Sequence, residues 1–344
     1  MACSTRTRHS RPGMTLVELL MVITIMVILL AVSIPMVRPA FKDRKLREAA
    51  RQINAFFAGA KARAAENGRP FGVWIQRADG TAFGSQRSVQ LFYADVGPNF
   101  TGAAMGSRAW VGALGAGTPP VGQLHLSVLD AAILRTLVDR GEYFLIKFDH
   151  KGHRYSAVRN LVGAPQEFVV EIPTGVLPPG ADSAPGLTFE ITRGPVRSNV
   201  SPLRLPGDTV IDLSVSGLGT SGTQFSSAVA GNAPVVIMFT PAGDIYRLFA
   251  GGIGYPAQGT INLMIGRVAQ VVDPTATNFS NPEIAKNANL TDPANLWVTI
   301  GHRSGNVITS DNTDTSWVPA AALLPERIRG ARTLARSSVR KGGR

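Results

Sequence analysis

The chain has 344 residues, enough for one large domain or two modest ones. Charged residues make up 17% and apolar residues 44%, which excludes a highly charged disordered chain; the single cysteine, Cys3, excludes an internal disulfide and a cysteine-rich zinc site. The net charge of +12 sits near the ends: +3 in residues 1–13, +6 in 38–69 and +6 in 326–344, against −1 in 14–37 and −2 in 70–325.

In chain order, the first predicted element is the apolar run Met14–Val37, whose only charge is Glu18. As a helix it would be about 36 Å long, enough to cross an apolar layer of about 30 Å. It exceeds the apolar core of a secretory signal peptide and leads into a further helical pattern, so removal after it is not expected. Basic residues flank it on both sides and do not orient it. Glu18 is costly in an apolar helix, and positions 21 and 22, one turn on, hold Met21 and Val22. Its expected partner is headgroup water or a group on another chain.

The string Gly13-Met14-Thr15-Leu16-Val17-Glu18, after a short basic leader and before an apolar helix, resembles the prepilin-type processing motif of type IV pilins and type II secretion pseudopilins. The resemblance implies cleavage by a prepilin peptidase between Gly13 and Met14 and methylation of Met14, a position where that family more often has Phe. It also implies that Glu18 meets the amino terminus of a neighbouring subunit during filament docking, and that Pro35 kinks the helix.

From Leu46 the residues Leu46, Ala50, Ile53, Phe57, Ala60 and Ala64 recur at spacings of four and three, an amphipathic stripe opposite Arg44, Arg51 and Arg63 that Gly68 and Pro70 terminate. Strands are predicted at 70–75, 88–93, 167–172, 187–192, 210–215 and 260–265. Hairpins are predicted around 149–152, 241–243 and 302–305. Within the pilin class, the segments Lys45–Arg51, Glu66–Pro70, Val235–Gly243 and Trp297–Val307 look like the GspH/FimT minor pseudopilin group. The expected fold is therefore α+β: a long transmembrane helix continuing into an amphipathic helix packed on an antiparallel, β-rich, pilin-like domain. The expected parts are a cleaved leader (1–13), a membrane helix (14–37), an amphipathic helix (38–67), a globular domain (68–318) with insertions at 97–135 and 194–232, and a basic tail (319–344).

No catalytic motif emerges, and neither a cofactor nor a metal is expected. His150 and His153 read as turn residues, and Asp292, Asp311 and Asp314 form no compact run of calcium-ligand type. In the tail, Leu324, Ile328, Ala331 and Ala335 share one helical face, and Arg327, Arg329, Arg332, Arg336, Arg340 and Lys341 are candidate contacts to an anionic partner. A solvated frayed tail, a helix on anionic headgroups and a DNA phosphate site remain open. The resemblance implies a structural, non-enzymatic minor pseudopilin near the tip of a type II secretion pseudopilus. Its leader would be cytoplasmic, its helix in the inner membrane and its domain periplasmic; its partners would be prepilin peptidase, other pseudopilins or pilins and secreted cargo. The alternative is a FimT-like minor pilin of a type IV pilus that binds DNA during uptake.

Overall fold

The computed structural model describes residues 15–78, 84–112, 115, 120–160, 167–173, 175–272, 281–313 and 324–342, without the side chains of 32–42, 282–283 and 334–342. The fold is mixed α+β, with an N-terminal helix and antiparallel strands, and the chain divides into two units, Met1–Lys45 and Leu46–Arg344.

One helix, Leu16–Asn67, begins in the first unit and ends in the second. Its assignment is unbroken through Pro35 and Pro39, although neither proline has an amide hydrogen for the carbonyl four residues earlier. It stops where Gly68 takes a φ of 63°, the left-handed C-cap geometry that glycine adopts without steric cost. From Leu46 onward the predicted stripe is the buried one: Leu46, Ile53, Phe57, Ala60 and Ala64 are 0% exposed. Arg44 and Arg51 face solvent, but Arg63 does not follow them: its guanidinium lies 4.0 Å from the centroid of the Tyr93 ring.

The strands are β1 Phe71–Gln76, β2 Arg87–Ser88, β3 Gln90–Asp95, β4 Ala109–Val111, β5 Val121–Leu126, β6 Tyr143–Phe148, β7 Tyr155–Arg159, β8 Phe168–Glu171 and β9 Phe189–Thr192. They continue with β10 Val196–Arg197, β11 Leu203–Arg204, β12 Thr209–Leu218, β13 Val235–Phe239, β14 Ile245–Ala250, β15 Ile253–Tyr255, β16 Ile261–Arg267, β17 Leu296–Ile300 and β18 Val307–Asp311. The three predicted hairpins form as β6–β7, β13–β14 and β17–β18. At the first of them Asp149, His150 and Gly152 all take positive φ.

A first sheet runs β10-β3-β1-β13-β14-β15, with β11 also on β3, and a second runs β18-β17-β16-β12-β2. Their apolar inner faces share one core with the helix stripe, where Phe57 meets Phe239 edge-on and Leu213, Ile237, Leu263 and Val298 are fully buried. Polar ties fix the helix against the last hairpin: Asn54 Nδ2 donates to Thr309 Oγ1 at 2.8 Å and Lys61 Nζ to the Ser304 carbonyl at 2.8 Å. Each buried Leu, Ile or Phe of the stripe contributes about 1.5–3 kcal/mol.

The insertion is drawn differently from the expected 97–135 and 194–232. The chain leaves the first sheet after Asp95 and returns as β10, where Val196 pairs with Asp95 itself. The strands between form a third sheet, β4-β5-β8-β7-β6-β9, so the hairpin 143–159 belongs to the insertion, and β10, β11 and β12 belong to the main sheets. An isolated bridge ties β4 to the segment just before β9: the Ala109 amide donates to the Leu187 carbonyl at 2.8 Å and the Leu187 amide to the Ala109 carbonyl at 3.0 Å, curling the sheet into a small barrel. Its separate core includes Phe144, Ile146, Phe148, Phe189 and Ile191, with Leu134 contributed by the helix Val128–Leu137. That helix was not expected from the sequence. Ser127 caps it, accepting from the Asp130 amide at 3.0 Å, and the spacing Ser127-x-x-Asp130 was a readable signal.

Candidate functional site

At the amino terminus Gly13 and Met14 lie outside the described residues, and so does the side chain of Pro35. Thr15 precedes the helix. The Glu18 amide donates to Thr15 Oγ1 at 3.2 Å, while the Thr15 amide and hydroxyl each lie 3.4 Å from Glu18 Oε2. This is a capping box, and it corrects the expectation that Glu18 finds a partner only in water or on another chain. The Thr-x-x-Glu spacing carried that signal. Both donors are neutral and the 3.4 Å contacts are long, so the box orients the carboxylate without giving it a charged partner. Among the described residues no ion pair involves Glu18.

The residues after Glu18 have no polar face. Large apolar side chains are exposed all round the helix, from Leu16 at 79% to Leu30 at 54%. Thr24, the one hydroxyl between Leu16 and Ala31, donates to the Leu20 carbonyl at 2.8 Å and so hides its polarity within the helix. A helix apolar on every side is stable only where something other than water covers it. Leu16–Ala31 spans about 24 Å. Among the described residues no helix is long and apolar enough to cross a membrane; the apolar sequence continues to Val37, beyond Ala31, where side chains are not described.

At the other end, the helix Leu324–Gly342 replaces the frayed tail as far as its side chains are described. Ile328 and Ala331 are fully buried against Val215, Met264 and Trp297. Of the six candidate anion contacts, Arg329 is exposed, and Arg327 and Arg332 turn inward. Arg332 Nη2 donates to the carbonyls of Val215 at 2.8 Å and Gly222 at 3.0 Å, and Nη1 to that of Gly219 at 3.2 Å, with the Trp297 ring 5.2 Å away. A guanidinium spent on backbone carbonyls is not offered to phosphate. One of these carbonyls, Val215, lies in the β12 irregularity between Asp212 and Gly217, where the register with β16 shifts. The side chains of Arg336, Arg340 and Lys341 lie outside the described residues.

Asp212 and Arg77 are buried ionisable side chains that no sequence motif marked. Asp212 accepts from the Ser214 amide at 3.0 Å and from Asn289 Nδ2 at 2.8 Å, and complete burial pushes its carboxyl up to about 6. Arg77 donates to the carbonyls of Phe225, Ala233 and Ser85, and burial lowers it to about 10. The sequence signal was an aspartate and an arginine beside apolar strand residues.

Of the metal candidates, Asp292 Oδ2 accepts from Arg267 at 3.1 Å and Gln270 at 3.0 Å, and its Oδ1 accepts from the Ala294 amide. Asp314 lies outside the described residues, and the His153 ring packs edge-on against Tyr155. Among the described residues no group of three or more His, Cys, Asp or Glu side chains could hold a metal ion.

Residues 8–34 match the family model of the prokaryotic N-terminal methylation motif. The chain thus carries a prepilin-type N-terminal motif, the kind found in pilins and pseudopilins. No curated protein matches the chain, and no solved structure matches it.

Proposed function

We propose that this chain is a structural minor pseudopilin of a type II secretion system, a non-enzymatic subunit processed by prepilin peptidase and assembled at or near the tip of a short filament. The observation that carries the reading is the methylation motif at residues 8–34 running directly into a helix apolar on every side. In this reading Gly13 and Met14 form the processing junction and the run to Val37 is held in the inner membrane before assembly. Pro35 bends the helix, and the domain beyond it lies in the periplasm. Glu18, oriented by Thr15, meets the methylated amino terminus of the next subunit. The closing segments 235–243 and 297–307 support the GspH/FimT assignment by their sequence alone. The inward turn of Arg327 and Arg332 favours secretion over the DNA-binding pilus alternative, because it withdraws two cations from a phosphate site.

Glu18→Ala tests the assembly role. The variant is expected to be inserted and cleaved like the parent, because losing a carboxylate eases insertion, and to lose site-specific crosslinks to other pseudopilins along with secretion. Unchanged crosslinking and secretion would remove Glu18 from assembly.

A further inference from the structure

The outer face of the first sheet carries a row of side chains in one register. Phe92 pairs with Trp74, Trp74 with Val236, and Val236 with Phe249 across four adjacent strands. Glycine at 254, the next register position, is what lets the Phe249 ring lie over the edge strand: a Cβ there would sit 2.5 Å from Phe249 Cε1. Arg197 covers Phe92, its guanidinium carbon 4.7 Å from the ring centroid, while Trp74 and Phe249 are half-buried, packed against Val236 and Met238.

Over Trp74 and Phe249 opens a cleft of about 480 Å³ whose opposite wall is the inserted barrel. That volume lies within the roughly 300–1,000 Å³ usual for ligand sites. The barrel contributes Tyr143 together with the carboxylates of Asp139 and Glu142, and Arg193 lines the junction between barrel and sheet. The Asp139 amide donates to Glu142 Oε2 at 2.8 Å, fixing that carboxylate at the rim, and partial burial raises its affinity for protons. Arg193 Nε is buried and has no hydrogen-bond partner among the described residues.

The geometry points to a polysaccharide site, in which pyranose rings stack on Trp74 and Phe249 while Asp139 and Glu142 accept from sugar hydroxyls and Arg193 donates to them. Apolar C–H faces with hydroxyl edges are the ligand chemistry that combines flat aromatic surface with both acceptors and donors. A peptide groove would use the indole N–H to hold a backbone carbonyl, but Trp74 Nε1 already donates to Gln76 Oε1 at 3.0 Å. A nucleic acid would bring phosphates against two carboxylates, which like-charge repulsion disfavours. The site goes beyond the proposed assembly role and does not depend on it, since the cleft lies wholly within residues 46–344.

The test is calorimetric titration of the full chain, held in a zwitterionic detergent free of sugar headgroups. The probes are β-1,4-linked hexasaccharides of glucose and of N-acetylglucosamine. At least one is expected to bind, with Trp74→Ala and Glu142→Gln each weakening it tenfold or more and Phe92→Ala, outside the cleft, leaving it unchanged. Glu142→Gln keeps the side-chain shape and decides the matter if Trp74→Ala fails to fold. Absence of heat from both hexasaccharides overturns the proposal, as does binding indifferent to Glu142→Gln. A proline-rich peptide or an oligonucleotide that binds in their place, with the same sensitivity to these variants, also overturns it.

Discussion

The two ends of the long helix share one backbone geometry and opposite side-chain logic. Between Leu16 and Leu30 large apolar side chains are exposed on every side, whereas between Leu46 and Ala64 a narrow stripe is buried against the sheets and charged residues such as Arg51 take the other faces. The difference lies in the partner each part requires. The second part is completed by its own chain, whereas the described side chains of the first are left exposed. Helix propensity alone does not distinguish them; the distribution of apolar residues around the circumference does.

The largest effect expected from this comparison is in the stripe. Phe57→Ala should lower the stability of the full chain by about 3–5 kcal/mol, because it empties a fully buried site against Phe239. Ile25→Ala, at a position 52% exposed, should leave the thermal midpoint of the globular unit unchanged. Equal losses from the two variants, read by circular dichroism, would erase the distinction between the two parts of the helix.

Asp212 sharpens the comparison from inside the second unit. Its folded carboxyl titrates near 6 against an ordinary 3.8, so the fold binds its proton more tightly than the unfolded chain does. The associated stability is fully present below the unfolded value and is lost as pH rises towards 6. That loss is on the order of 3 kcal/mol. Urea unfolding should show the parent weakening relative to Asp212→Asn between pH 4 and 6; parallel profiles would contradict the assignment.

A smaller loss is expected at the carboxy-terminal helix. Arg332→Ala removes the donor to the carbonyls of Val215 and Gly222, while that of Gly219 keeps Asn262 Nδ2 at 2.8 Å, and should cost about 2 kcal/mol; exposed Arg329→Ala should stay within about 0.5 kcal/mol. A reversed order in thermal denaturation would mean that the buried guanidinium is not what pins this helix.

What was readable in the sequence was local and periodic. The stripe from Leu46 to Ala64 and the three hairpins follow from spacing and turn residues, since each needs only neighbours in the chain. The barrel was not readable as a unit, because its closure depends on Ala109 meeting Leu187 and its boundary on Val196 returning to Asp95, pairings with no local signature. Arg332 looked like one more cation of a basic tail until the carbonyls of β12 were placed beneath it. The Thr15–Glu18 and Ser127–Asp130 caps are local and readable, one beside the apolar run and the other within the segment expected to be an insertion. At the amino terminus the motif was legible as Gly13-Met14-Thr15-Leu16-Val17-Glu18, while the partner of the exposed helix lies on no part of this chain that is described.

The most direct test of prepilin-type processing is the mass of the amino-terminal peptide from membranes of a host with active prepilin peptidase. A chain beginning at methylated Met14, with the leader retained in Gly13→Asp, is the predicted result. A chain from the same membranes that still begins at Met1 would contradict the pilin-type account.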